Sequence, residues 1–518
     1  MKNAFLYATI VALGGFIFGL DAALISGTVN YISKEFSLSE LQLGMAVSAP
    51  GFGVLVALPF AGYASNLIGR KRSLQIIAAL YLISALGSAF APSFGFLVAA
   101  RFLGGLAFSS ITLASMYIGE IAPPKWRGKL VSMTQINIVI GLSAAYFINL
   151  LILRSSDSGA SWVQAIGLDE YTWRWMLGSE VLPCLLWLVL LIIIPQSPSW
   201  LLYKGRTDEA KRALSKIYKS EAEVDDHLME MKNSLQESGT DQSIKTQLGV
   251  IMSRPMRLTL IIGVTVALVQ QATGINAVMF YAPTVIEQIG LGTDSAFMQS
   301  VWMGLTSVFF TILALMLVDK LGRRPMVIWG LIWIIASLAM CSYGFASAKY
   351  SLSKEAISEL NAIPEYQKLE AIAGASYGSD TEFKEALKPI LGVNATRDFS
   401  SLLLEKAASM NANLILFGIL SFIAAFHFSI GPIMWVLFSE LFPIAVRGVA
   451  IPLFALISSL VNYLVQQFFP WQLATMGSSA IFMFYAIMVG IGLIVLIKYL
   501  PETKNMSIEE IQRKLASK

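Results

Sequence analysis

The sequence predicts an all-α membrane protein whose two halves are related six-helix bundles, and three observations predict it. The chain of 518 residues is 56% hydrophobic and 14% charged, where a soluble domain carries about 25% charged residues; its mean hydropathy is +0.67. Apolar runs long enough to cross a bilayer, roughly 20 residues each, occur about twelve times: at 5–30, 43–65, 74–92, 94–120, 130–153, 173–195, 257–288, 297–318, 326–346, 411–438, 449–469 and 475–499. The punctuation between them is doubled. Glu120-x-x-Pro123-x-x-x-Arg127-Gly128 returns as Glu440-x-x-Pro443-x-x-x-Arg447-Gly448, and Gly69-Arg70-Lys71 returns as Gly322-Arg323-Arg324 in the same relative order. Matching punctuation in both halves reads as two bundles facing each other across a substrate site, so transport leads among functions.

The first run is too long for a signal peptide and has no small-residue cleavage site, so it reads as a retained helix. The N-terminal bundle is expected at 1–195 and the C-terminal bundle at 257–500, followed by a tail at 501–518. Arg70, Lys71, Arg72, Lys125, Arg127, Lys129, Arg323, Arg324 and Arg447 fall in short loops after even-numbered runs. The positive-inside rule places those loops and both termini in the cytoplasm. It also accounts for the net charge of +4 without a nucleic-acid partner. Low cysteine content and short tails favour a bacterial inner membrane.

Two polar stretches interrupt the pattern. At 196–256, Ala210, Ala213, Leu214 and Ile217 form an apolar stripe opposite Glu209, Lys211, Arg212 and Lys216, which predicts short amphipathic helices joining the halves. At 347–410, an insertion on the outer face mixes acids and bases, with runs such as Glu382–Leu387 that look helical. Cys184 and Cys341 lie in apolar runs without metal-ligand spacing, and His227 and His427 are solitary. No metal, cofactor or enzymatic cluster is expected.

An ionisable side chain inside hydrocarbon is a functional candidate by default. Asp21 lies about 8 Å from the outer side of the first span, and Arg101 enters the fourth to roughly 10 Å. The depths allow a pair, either structural or a proton-coupling carboxylate whose proton affinity depends on the arginine. The seventh span carries Gln270-Gln271-Ala272-Thr273-Gly274-Ile275-Asn276. A regular helix would not place Asn276 on a face with either glutamine, but Gly274 permits an unwound segment that turns the three amides to one cavity. Amides donate and accept without adding charge, as a neutral polyol requires; helix–helix glue is the competing role. Gly431-Pro432 is expected to break the tenth span before Trp435, whose ring suits the C–H face of a sugar. Gln135, Tyr281 and Asn462 are further candidate lining residues.

Taken together, F-G-L-D-A-A-L-I-S-G at 18–27, G-R-K-R at 69–72, the Glu120–Gly128 phrase, Q-Q-A-T-G-I-N-A-V-M-F-Y-A-P at 270–283, D-K-L-G-R-R-P at 319–325, G-P-I-M-W-V-L-F-S-E at 431–440 and P-E-T-K at 501–504 resemble the sugar porter family of the major facilitator superfamily. Its bacterial proton-coupled symporters of xylose and related sugars are the nearest in look. The resemblance implies the major facilitator fold and alternating access. It implies that Gln135, Gln270, Gln271, Asn276 and Trp435 contact sugar, with Tyr281 in an outer gate above them. Arg70, Glu120, Arg127, Arg323, Glu440 and Arg447 would form cytoplasmic ion pairs that latch the outward-open state. Asp21 stands where facilitative members tend to carry Asn, which points to a proton as coupling ion.

The chain departs from the family pattern at several points. Pro195-Gln196-Ser197-Pro198-Ser199-Trp200 replaces P-E-S-P-R-W, Asn66 stands where many members have Asp, and Ser307 and Ser458 stand where amides are usual. The segment from Arg101 to Glu120 is one residue short, and the outer insertion is long. The expected function is monosaccharide:proton symport by a monomer in the lipid bilayer. A facilitative uniporter of the same fold is the alternative, and a non-transporting sugar receptor is disfavoured by the short tail.

Overall fold

The computed structural model describes residues 2–122, 126–218, 220–237, 244–506 and 508–516. Pro123 and Lys125 of the basic punctuation fall outside them, as does the side chain of Arg127. Among the described residues, eleven helical segments are long and apolar enough to cross a membrane. The last, Val446–Tyr499, has 54 residues, roughly 80 Å of helix and far more than one bilayer core of about 30 Å. Gly477 inside it leaves the helical conformation (φ 79°, ψ 165°) and divides it into the expected eleventh and twelfth spans. The membrane-spanning part of the protein is an all-α bundle.

The doubled sequence has a doubled structure. The second span ends and the third begins at Gly69 (φ 91°, ψ 154°), and the eighth and ninth meet in the same way at Gly322 (φ 92°, ψ 158°). Positive φ is costly for any residue with a Cβ, so the helix-to-helix corner selects glycine at both places. At the other end of the second span, Ser39 and Gln42 form a reciprocal capping box, which satisfies two backbone donors that the membrane edge would leave exposed.

The seventh and tenth spans are broken by residues with non-helical dihedral angles. The seventh divides into Arg257–Ala272 and Ile275–Phe280 around Gly274, which is left-handed (φ 77°, ψ 10°). The tenth breaks at Ser429 (φ −127°, ψ −106°), between Ala412–Phe428 and Ile430–Leu441, and not at the expected Gly431-Pro432. Pro432 sits in the first turn of the second piece, where an absent N–H loses no helical bond.

The bundles touch at the end remote from Gly69 and Gly322. There Tyr146 Oη donates to Met279 O (2.6 Å) and Ser48 Oγ to Gln467 Oε1 (2.8 Å). Asn30 Nδ2 donates to Glu287 Oε2 (2.8 Å), and Arg154 pairs with Asp294 (2.9 Å). The insertion lies over this end. It has its own core around Tyr350, Leu369, Phe383 and Leu404 and a three-stranded antiparallel sheet of Ser376–Tyr377, Lys349–Ser351 and Ala408–Ser409, which the sequence did not suggest. It reaches both bundles: Ser478 Oγ donates to Asp380 Oδ2 (2.9 Å), while Arg397 donates to Leu38 O and the Lys34 ammonium stands 5.6 Å from the Phe399 ring centre. At the opposite end, Pro198–Tyr203, Thr207–Ser215, Glu221–Glu237 and Ile244–Ile251 are the linker helices, and the Ala210, Ala213, Leu214 and Ile217 stripe is buried.

Candidate functional site

Asp21 and Arg101 meet inside the N-terminal bundle. Arg101 Nη1 lies 3.4 Å from Asp21 Oδ1, with side-chain exposures of 2% and 4%, so the pair is out of water. Arg101 Nε also donates to Ala46 O at 3.0 Å. A third ionisable group, absent from the sequence-derived candidates, completes the cluster. Glu180, between the two helical pieces Thr172–Gly178 and Val181–Ile193 of the sixth span, is buried and near enough to Asp21 and Arg101 for their charges to act on it, and Cys184 Sγ donates to its Oε1 at 3.7 Å. Asp21 Oδ2 is buried and has no hydrogen-bond partner among the described residues. Two carboxyls and one guanidinium are neutral together only when one proton is bound, and uncompensated charge is expensive in this surrounding.

The break at Gly274 assembles the amides of the other bundle. Asn276 Nδ2 donates to Gln271 Oε1 (2.8 Å) and to Asn462 Oδ1 (2.7 Å). Gln466 Nε2 donates to the same Asn462 oxygen (2.6 Å), and Gln271 Nε2 donates to Ser458 Oγ (3.2 Å). Gln271, Asn276 and Asn462 are half-buried, a position from which amides can exchange internal bonds for bonds to a ligand. Gln270 is buried; its Oε1 has no hydrogen-bond partner among the described residues, and it stands apart from this network. Tyr281 is buried; its hydroxyl donates to Gln466 O (3.0 Å), and its ring lies 5.1 Å from that of Phe469. Trp435 is 44% exposed and meets Phe438 edge-on. Gln135 is half-buried on the fifth span, in the opposite bundle.

At the basic end the doubled motifs form matched braces. Arg70 pairs with Glu120 (3.0 Å), and Arg323 pairs with Glu440 (2.9 Å). Ser197 Oγ donates to Glu120 Oε2, as Thr503 Oγ1 does to Glu440 Oε2. Arg447 donates to Phe442 O (3.2 Å). Among the described residues, the ion pairs of Arg70 and Arg323 stay within one bundle each. In this state the bundles are joined at the other end.

Comparison with known proteins agrees with this geometry. A family profile described as "Sugar (and other) transporter" matches residues 7–361 and 393–515. The D-xylose-proton symporter of Escherichia coli K12 is 32% identical over 539 aligned positions, covering 97% of this chain and 94% of that protein. The arabinose-proton symporter of Bacillus subtilis is 29% identical, covering 99% and 95%. Among solved structures, the inward-open conformation of the xylose transporter XylE from E. coli superimposes with a TM-score of 0.72 at 29% identity, covering 99% of both chains. The same symporter bound to 6-bromo-6-deoxy-D-glucose gives 0.69 at 30% identity, again covering 99% of both. The chain belongs to the sugar porter family of the major facilitator superfamily.

Proposed function

We propose that the protein imports a monosaccharide, a pentose or hexose, together with a proton. The observation that carries this reading is the buried Asp21–Arg101–Glu180 cluster, with one cation for two carboxyls. Proton uptake neutralises the cluster and proton loss charges it. A conformation that admits water to the cluster therefore has a different proton affinity from one that seals it. The amide set Gln271, Asn276 and Asn462, with Trp435 in the same bundle and Gln135 in the opposite one, supplies donors, acceptors and a ring face for a sugar.

Hydrogen bonds and an ion pair that join the bundles toward the insertion end, together with the inward-open relative's overlay, support an inward-open state. Closing the basic end and opening the outer one, past Tyr281, would complete alternating access. The xylose-proton and arabinose-proton symporters among its relatives support sugar and proton as the cargo. In this reading the protein is a monomer in a bacterial inner membrane with both termini in the cytoplasm.

Uptake of D-xylose and D-glucose into proteoliposomes, with and without an imposed pH gradient, tests the proposal. Wild type should concentrate at least one sugar only when the gradient is present, and Asp21→Asn should abolish accumulation while retaining exchange. Uptake that equilibrates without concentrating selects a facilitator. Full accumulation by Asp21→Asn refutes the coupling role.

A further inference from the structure

A cavity of about 460 Å³ opens at the basic end between the start of the third span, the end of the sixth and the linker helices. Lys71, Arg72, Arg206, Arg212 and Lys216 line it. Glu209 is the sole acid among its lining residues, and Arg206 already holds it with two bonds of 2.7 and 2.6 Å. Lys71 Nζ donates to Ile192 O (2.8 Å) and lies near enough to Lys216 to be repelled by it. Arg72, Arg212 and Lys216 have no carboxylate partner among the described residues. Like charges gathered around one cavity repel one another, and an anion held between them relieves that repulsion.

The surroundings specify the anion. The cavity wall includes Ile192 and Ile193, which are 63% and 55% exposed, and Leu182, Leu186 and Val189 continue an exposed apolar surface along the same helix. That surface lies within a span and faces lipid, so the basic cavity sits where a membrane helix leaves the bilayer. A free phosphate would use the cations alone; a phospholipid would use both features, its phosphate among the cations and its acyl chains along the sixth span. We propose that this cavity binds the headgroup of an anionic phospholipid from the leaflet that the positive-inside rule assigns to the cytoplasm. The bound headgroup would join the linker helix Thr207–Ser215 to the N-terminal bundle.

Native mass spectrometry of the full chain in detergent tests this, with phosphatidylglycerol, phosphatidylcholine of the same acyl chains, and inorganic phosphate as probes. Wild type should retain phosphatidylglycerol over phosphatidylcholine. The triple variant Arg72→Gln, Arg212→Gln, Lys216→Gln should lower that preference by about tenfold or more, as loss of three cations near an anionic headgroup predicts. A control triple, Lys245→Gln, Lys320→Gln, Lys498→Gln, removes equal charge elsewhere and should keep the preference. If the first triple fails to fold, Arg72→Gln and Arg212→Gln, both at exposed positions, are measured singly and should each reduce it. Three results overturn the proposal: no preference in wild type, equal loss in the control, or complete displacement of the lipid by inorganic phosphate.

Discussion

Gln196 and Glu502 hold equivalent places in the two halves. Gln196 Oε1 accepts from Lys71 N (2.9 Å), just after the Gly69 corner; the Glu502 carboxylate accepts from Arg323 N (3.1 Å) and Arg324 N (3.2 Å), just after Gly322. Both side chains therefore cap the first turn of a span that starts at a positive-φ glycine, one with an amide and the other with a charge. A carboxylate at a helix N-terminus also gains from the helix dipole. Glu502→Gln should lower stability by about 1 kcal/mol, and Gln196→Glu should raise it by a few tenths to about 1 kcal/mol. Thermal unfolding in detergent reads both; shifts of the same sign would contradict the equivalence.

Much of this was legible in the sequence because the relevant chemistry repeats. Two copies of Gly-Arg and of the Glu–Arg-Gly phrase mark two corners and two braces, and Gly274 beside three amides marks an unwound segment. What escaped depends on spatial neighbours. Glu180 lies seven residues into the run at 173–195, roughly 10 Å deep, so its depth was as legible as that of Arg101; its partners were not, because only the packing of the first, fourth and sixth spans puts it beside Asp21. The break at Ser429 has no local signal as strong as the Gly431-Pro432 pair that follows it. The strands of the insertion are two or three residues long, too short to show alternation.

Gly274→Ala tests the unwound segment. The residue has φ 77°, and an added Cβ would stand 2.5 Å from Tyr485 Cδ2. Left-handed strain alone costs roughly 1–2 kcal/mol, and displacing a buried ring adds to it. The variant should lose thermal stability and bind sugar more weakly, because Gln271 and Asn276 no longer meet. A stable variant with unchanged affinity would remove Gly274 from the site's construction.

Glu180→Gln separates coupling from fold. It leaves Asp21 and Arg101 as a neutral pair that needs no added proton. Gradient-driven accumulation should fall sharply while sugar exchange between equal pools persists. Arg101→Gln should behave differently, stranding two buried acids at a cost of about 3–5 kcal/mol and lowering the yield of folded protein. Unchanged accumulation in Glu180→Gln would confine the acid to a structural role.

The docked insertion should respond to pH through Lys384. Its ammonium donates to Gln288 Oε1 (2.8 Å) and lies 3.9 Å from Asp380; burial pulls its pKa below the ordinary 10.5. The undocked lysine therefore binds more protons than the docked one between the depressed value and 10.5, and docking tightens as pH rises through that window. Hydrogen exchange in residues 362–392 should slow relative to the intrinsic rate over this range. Lys384→Met should remove the added protection. Asp380→Ala should speed exchange at every pH, since Ser478 N and Oγ lose their acceptor.

Asn462 is the acceptor on which two amides converge, Asn276 Nδ2 at 2.7 Å and Gln466 Nε2 at 2.6 Å. Asn462→Ala removes that acceptor and leaves Asn276 free to rotate, so a sugar hydroxyl meets a less ordered donor. Loss of one such bond amounts to about 1 kcal/mol, which predicts a KM increase of severalfold to about tenfold. The bundle-rocking step does not use this side chain, so kcat should change little. Asn462→Asp discriminates further: it keeps the acceptor oxygen but replaces the amide NH2 with a second oxygen and adds a charge to a half-buried amide cluster, and it should weaken binding more at high pH than at low. If both variants lowered kcat at unchanged KM, Asn462 would belong to the moving interface and not to the sugar's contacts.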